Sequence, residues 1–269
     1  MHVAHDIDHL IDFEQEYVRY QSPLPGAAVG FRIYEGQCPV VVSAPHGARC
    51  FRPGDPDDYH QEDEYTAALS EWLHARVGAS AICMVQRSRT DPNFTDNCPY
   101  KTELASLVER SRARFVLDIH GAVSTREFAI DLGCGGATHD EVRSCAGSTV
   151  EQFKRLWFAE FPPADTVSVN HFPGRREGTV TRFIMQHFRG TIPVMQIEIN
   201  GKYRIPRRKT DATASEKPFP APGDQLAQYR RISGLMRTLR SFVHDMSQGP
   251  PPSPPAPSAR YAGGMTDAL

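Results

Sequence analysis

Apolar and polar residues follow two different periods along most of the chain. Short apolar runs rich in β-branched residues predict strands at 31–34, 39–44, 81–86, 114–119, 128–133, 166–170 and 191–200. Apolar residues at helical spacing predict helices over 62–77, 101–113, 139–161, 178–188 and 223–245. Because strands alternate with helices, we expect an α/β fold with three αβα layers around a mixed, mostly parallel sheet.

The C-terminal sequence has a different composition. Six prolines lie between Pro250 and Pro257, and a segment of this kind offers few residues that could form a core. We therefore predict a single α/β domain over residues 1–246 and a disordered, proline-rich tail over residues 247–269.

Charge and hydropathy narrow the class of protein. The chain has 30 lysines and arginines against 32 aspartates and glutamates, so it lacks the basic surplus typical of nucleic-acid binding. No apolar run approaches the roughly 20 residues of a membrane-spanning helix, and residues 1–20 lack the apolar centre of a signal peptide. We therefore expect a cytoplasmic protein with no nucleic-acid or membrane partner, and leave its oligomeric state open. Six dispersed cysteines without CxxC spacing are expected to be free thiols.

Two predicted strands end in the same three residues, His-Gly-Ala. His46 follows the apolar run 39–44, and His120 follows the run 114–119. The carboxyl ends of strands in such sheets are where ligands bind, so the two histidines could hold a metal ion. Asp118 lies two residues before His120, on the same face of the strand, and could orient its ring. Purely structural roles for these residues remain open.

Carboxylates supply further candidates. Glu62, Asp63 and Glu64 open the predicted helix 62–77; one of them could be a third metal ligand, although acidic residues also favour helix N-termini through the helix dipole. Glu198 lies in a strand that is otherwise largely apolar, where a carboxylate is costly unless it is paired or used. It could act as a general base, or the strand could be an exposed edge.

Arginine-rich segments lie beside several predicted elements. Arg89 falls in the segment 86–93, and Arg175 and Arg176 precede the helix at 178–188. Each could bind a substrate carboxylate through two parallel hydrogen bonds. His171 is a candidate for the rim of the pocket that would bind this substrate. The basic run 204–209 is predicted to be a solvated loop, with a rim that attracts anions as the alternative.

In chain order these motifs resemble the N-formylglutamate amidohydrolase family, within the zinc carboxypeptidase and aspartoacylase-like group. The matching stretches are VSAPHGA, DEYTAALSEWL, QRSRTDPN, DIHGAVSTREFAIDLG, HFPGRREGTVTRF and MQIEIN. The resemblance covers most of residues 30–205 and implies a zinc carboxypeptidase-like, or phosphorylase/hydrolase-like, fold. It also implies one zinc ion per chain.

The resemblance carries over to individual residues. It implies that His46, Asp63 and His120 are zinc ligands and that Glu198 is catalytic, with Glu62 and Glu64 as alternatives to Asp63. Arg89 stands where the family has an arginine ahead of an Asp-x-Asn element, which here ends at Asn93, a candidate for substrate binding.

Two departures from the family pattern fall in segments that face the substrate. Phe94 stands where deformylases of this family usually have arginine, and Arg175 and Arg176 stand where the resemblance leads us to expect mostly small residues. These departures leave N-formylglutamate itself in question as the substrate.

The resemblance implies a zinc-dependent amidohydrolase that cleaves an amide through a metal-activated water, with Glu198 as general base. Its substrate would be a small acidic N-formyl or N-acyl amino acid, or a peptide. Two alternatives remain: a carboxypeptidase-like zinc peptidase, and a catalytically silent metal-binding scaffold whose tail recruits a partner. A metal-independent Cys or Ser hydrolase ranks last, because the sequence has no GxSxG element.

Overall fold

The structure is a computed structural model that describes residues 3–23, 29–134, 147–214 and 223–248, together with Gly26 and Phe219. A seven-stranded mixed sheet lies at its centre. Its strands, in spatial order, are β1 (Phe31–Tyr34), β5 (Ala79–Met84), β2 (Cys38–Ala44), β6 (Phe115–Ala122), β9 (Val194–Asn200), β7 (Ile130–Gly133) and β8 (Val167–Val169). The neighbouring strands β5, β2, β6 and β9 are mutually parallel, whereas β1, β7 and β8 run the other way.

Helices cover both faces of the sheet. The larger core packs it against α1 (Val3–Tyr17), α2 (Thr66–Val77), α4 (Gly147–Glu160) and α7 (Gln225–Gln248), and the smaller core packs it against α3 (Pro99–Arg110) and α5 (Val180–His187). Along β2, Val40 and Val42 face the larger core while Val41 faces the smaller one, because successive side chains of a strand point to opposite faces. The predicted three-layer αβα fold with a mixed sheet is confirmed.

Three smaller elements complete the part of the chain that the structure describes. A hairpin of β3 (Cys50–Phe51) and β4 (Tyr59–His60) follows β2, and a 3₁₀ turn (Pro56–Asp58) lies between its two strands. A single turn of helix, α6 (Gly201–Arg204), follows β9. Among the described residues, no helix is both long and apolar enough to cross a membrane.

The predicted elements are present with shifted ends. The helix predicted over 62–77 begins only at Thr66, so the acidic triplet lies in the turn before it. The helix predicted over 139–161 is described from Gly147 to Glu160, and residues 139–146 lie outside the described residues. Helix α1 was not predicted, although Ile7, Leu10 and Phe13 are buried at helical spacing.

Two predictions concern the chain after β9. The last helix runs to Gln248, two residues into the predicted tail; the rest of the tail lies outside the described residues, and the domain division stays a prediction. The basic run 204–209 is not a solvated loop, since Arg204 is only 4% exposed and Lys209 is nearly buried. Backbone carbonyls close to each side chain replace its contacts with water.

Candidate metal and active site

Three adjacent parallel strands bring the candidate residues to one edge of the sheet. His46 lies two residues beyond the end of β2, His120 lies on β6, and Glu198 lies on β9. In the register of the sheet His120 pairs directly with Glu198. Strand β9 has β6 on one side and β7 on the other, so Glu198 does not lie on an exposed edge strand.

The glycine after His46 is required by close packing. A Cβ at Gly47 would overlap the carbonyl oxygen of Met84 and the side chain of Ala67. The absence of a side chain lets the turn press against β5 and α2. This contact directs the chain after β2 so that the His46 ring lies buried beside His120, with 4.9 Å between the ring centres.

Asp63 joins the two histidines from the turn before α2. Its backbone N–H donates to the carbonyl of His46 at 2.7 Å. Its carboxylate Oδ2 lies 3.5 Å from His46 Nδ1 and 3.4 Å from His120 Nδ1. Ligand atoms of these three buried residues all lie within 4.8 Å of one another.

The acidic neighbours of Asp63 point elsewhere. Glu62 accepts hydrogen bonds from the backbone N–H and the hydroxyl of Thr213, at 2.5 and 2.7 Å. Glu64 pairs with Arg208, whose Nε lies 3.0 Å from its carboxylate. Both carboxylates therefore bind residues of the segment after β9 and do not contact the histidines. Of the three acids that the sequence left open, the geometry favours Asp63 as the metal ligand.

Each histidine is also held from its far side. His46 Nε2 lies 2.8 Å from Asp91 Oδ1, and His120 Nε2 lies 3.2 Å from Asp118 Oδ2. A carboxylate on one ring nitrogen fixes the tautomer and leaves the other nitrogen free to bind a metal. Asp118 therefore lies where the sequence predicted. Asp91 was not predicted in this role, because nothing local connects it to a histidine 45 residues earlier.

The charges of this cluster shift several pKa values. Burial alone would raise the pKa of Asp63, but His120 and His46 hold the pKa of that carboxyl well below its usual range. Burial would lower the pKa of His120, but Asp118 and Asp63 raise it well above the ordinary value. Burial raises the pKa of Glu198 to about 7, against the opposing effect of His120. The pocket therefore concentrates buried carboxylates that a cation would stabilise.

The donor set fits zinc. Two imidazole nitrogens and one carboxylate oxygen, with an open side for water or substrate, are typical of catalytic zinc sites. Carboxylates behind both imidazoles are the usual accompaniment. The sequence-predicted ligands His46, Asp63 and His120 thus lie together, but their role as ligands remains a proposal.

A cavity of about 430 Å³ opens beside this cluster. Besides the cluster, Glu198 and Gln196, it is lined by polar and charged side chains that include Arg52, His60, Asn93, Arg126, His171, Arg175, Arg176 and Thr179. Of the residues that the sequence offered for substrate binding, Asn93, Arg175 and Arg176 line this cavity, and so does His171. The side-chain oxygen of Asn93 accepts the N–H of Val180 at 2.7 Å, so this atom anchors helix α5.

Arg89 does not line this cavity. It lines a second one together with Arg87 and Tyr59, whereas His60, the other residue of β4, lines the first. The chain turns back after Arg89 so that Asp91, and not the arginine, reaches His46. Its place in a separate cavity counts against the assignment of Arg89 to the substrate, which stays a prediction.

Several residues of the cavity were missed by sequence reasoning. Arg52 pairs with Asp91. His60 places its ring centre 4.5 Å from that of His46, and burial lowers the pKa of His60 to about 4. Both lie in the β3–β4 hairpin and Arg126 lies in a loop, so no apolar periodicity marks them. Phe94 is 44% exposed, with the guanidinium of Arg52 5.7 Å from its ring centre.

Comparison with known proteins supports the fold. No protein-family model matches the sequence, and no curated protein is similar to it at a significant level. Among solved structures, an N-formylglutamate amidohydrolase from Ralstonia eutropha is 15% identical with a TM-score of 0.53, and the match covers 81% of this chain and 99% of that one. A gene product from Agrobacterium tumefaciens is 13% identical with a TM-score of 0.51, over 81% of this chain and 94% of that one. At such identities the likeness establishes a shared fold, and the fold expected from the sequence resemblance is confirmed.

Proposed function

We propose that this chain is a zinc-dependent hydrolase that cleaves the amide bond of a small acidic N-acyl amino acid or peptide. The observation that carries the proposal is the buried His46–Asp63–His120 cluster, with Glu198 beside it and both facing one cavity. The fold is shared with an amidohydrolase, so it can support this chemistry. Glu198 is not one of the three proposed ligands, so its place beside the cluster is the feature that a metal-binding scaffold without catalysis would not require.

His46 and His120 would hold the zinc through Nδ1 and Asp63 through its carboxylate. When bound, zinc supplies a Lewis acid that polarises a carbonyl oxygen and lowers the pKa of water. Asp91 and Asp118 keep the two rings in the tautomer that exposes Nδ1. One zinc ion per chain is expected, as the three ligand atoms form a single cluster.

Glu198 is placed to move protons. It lines the cavity beside His120, its partner on the adjacent strand, and Gln196 donates a hydrogen bond from Nε2 to its Oε1 at 2.9 Å. This bond restricts the carboxylate to one orientation. Glu198 would take a proton from the attacking water and deliver it to the nitrogen of the leaving amine.

The arginines that line the cavity favour a substrate with a negative charge. Arg52 is committed to Asp91, but no carboxylate within the described ranges forms an ion pair with Arg126, Arg175 or Arg176, which all line the cavity. The Nε atom of Arg175 is buried and has no hydrogen-bond partner among the described residues. A substrate carboxylate would satisfy these guanidinium groups by charge-assisted hydrogen bonds.

The test begins with metal content. The purified chain should contain about one zinc per chain by plasma mass spectrometry, and the His120→Ala variant should lose most of it because a ligand is removed. The zinc-loaded chain should then hydrolyse members of a panel of N-formyl and N-acetyl amino acids and dipeptides, with acidic members preferred. A chain that binds no zinc even after reconstitution would overturn the proposal. A panel hydrolysed only at peptide bonds would identify the peptidase.

A further inference from the structure

Arg204 is buried near the cluster, and its guanidinium donates hydrogen bonds to three backbone carbonyls. The side chain is only 4% exposed. Its Nε donates to the carbonyl of Ile199 at 3.0 Å, one terminal nitrogen donates to Glu64, and the other donates to Ala122 at 3.4 Å. A buried guanidinium is costly unless its donors are satisfied, so an arginine here needs these carbonyls in place.

Each of these carbonyls belongs to a residue one or two positions after a residue of the proposed site. Ile199 follows Glu198, Glu64 follows Asp63, and Ala122 lies two residues after His120. Arg204 therefore connects the ends of β6 and β9 to the turn before α2. Strands β6 and β9 already pair with each other, but the turn that carries Asp63 belongs to no strand.

The same contact requires glycine at the position after His120. A Cβ at Gly121 would overlap the guanidinium of Arg204. The flat guanidinium packs against the bare backbone there and can reach all three carbonyls at once. A lysine could not do so, because its donors radiate from a single nitrogen.

We propose that Arg204 is a positioning residue that holds Asp63 at the distance from His46 and His120 required for metal binding. The inference rests on the proposed zinc site. Metal sites need ligands held to within about half an ångström. Without Arg204 the turn of Asp63 keeps its backbone hydrogen bond to His46 but loses the hydrogen bonds through which Arg204 joins it to the ends of β6 and β9.

The experiment compares zinc affinity in Arg204→Lys, Arg204→Met and a matched control, Lys209→Met. Lys209 lies on the same segment and is nearly buried; it donates to the carbonyls of Glu14 and Val18 and pairs with Asp211, away from the cluster. Affinity is measured by competition with a chromophoric chelator. The visible spectrum of bound Co²⁺ reports ligand geometry, and thermal unfolding without metal reports stability.

We expect both Arg204 variants to bind zinc roughly 10–100-fold more weakly, as is usual when groups that orient metal ligands are lost. Their Co²⁺ spectra should change, whereas Lys209→Met should keep the affinity and spectrum of the unaltered chain even where it is less stable. If Arg204→Met does not fold, Gly121→Ala provides a second variant, because it displaces the guanidinium without removing a charge.

Two negative results have different meanings. Zinc binding of unaltered strength in folded Arg204 variants would overturn the role of Arg204 and leave the proposed function intact. Absence of zinc binding in the unaltered chain would overturn the proposed function, and the role of Arg204 with it.

Discussion

Glu14 on helix α1 should make the protein less stable as the pH rises from 4.5 to about 7. Its side chain is fully buried; Oε1 accepts hydrogen bonds from the Tyr20 hydroxyl and from the N–H of Tyr65. The other oxygen, Oε2, has no hydrogen-bond partner among the described residues. Burial raises the pKa of Glu14 from 4.5 to about 7.

The size and sign of the effect follow from this difference in pKa. Between pH 4.5 and about 7 the folded protein keeps a proton on Glu14 that the unfolded chain has already lost. The folded state therefore binds more protons, and the free energy of unfolding falls as the pH rises across this interval. At about 1.4 kcal/mol per pH unit, the full loss is about 3 kcal/mol and is complete above pH 7.

Glu14→Gln tests this expectation because glutamine has nearly the same shape and does not ionise. Urea unfolding at several pH values from about 5 to 8.5 gives the free energy of unfolding of both proteins. The variant should gain about 2.5 kcal/mol relative to the unaltered chain between the two ends of this range, because part of the full loss already occurs below pH 5. Asp12→Asn, at an exposed position of the same helix, is the control and should show no such gain. A difference between Glu14→Gln and the unaltered chain that does not vary with pH would refute the reasoning.

Three further predictions concern the site. Asp63→Ala should lose most of the bound zinc while Glu64→Ala keeps it, since only Asp63 faces both histidines; equal zinc content by plasma mass spectrometry would contradict this assignment. Glu198→Gln should retain zinc and lose roughly 10²–10⁴-fold in kcat, and normal turnover would remove Glu198 from the mechanism. Arg175→Ala should raise KM for an acidic substrate roughly 10–100-fold, the value of a hydrogen bond to a charged group. Arg89→Ala should leave KM unchanged because it lines a separate cavity, and steady-state kinetics that show the reverse order would restore Arg89 to the substrate.

Much of the fold could be predicted from the chain because its signals are local. The run 39–44 is apolar and β-branched, and it forms β2 with both faces buried. The ends of the helices were predicted less accurately than the strands. Glu62, Asp63 and Glu64 fit the first turn of a helix by residue type, but α2 begins only at Thr66. Their carboxylates instead contact groups outside the helix. Tertiary hydrogen bonds outweighed the small preference of acids for a helix start.

The candidate site was predictable where a motif sits on a strand end. His46 and His120 were identified because each follows an apolar run and precedes a glycine, and Glu198 because a carboxylate is unusual in such a strand. Arg52 and His60 could not be found in this way, since their positions depend on a hairpin between β2 and α2 that brings them over the cluster.

The sequence by itself determined the alternation of strands and helices and the two His-Gly-Ala strand ends, because these depend on residues close together in the chain. Only the tertiary structure decided which of three adjacent acids faces the histidines, that Arg89 lies in another cavity, and that Arg204 is buried. The physical reason is the same in each case: the order of the strands sets which distant segments meet, and hydrogen bonds between those segments set where each side chain points.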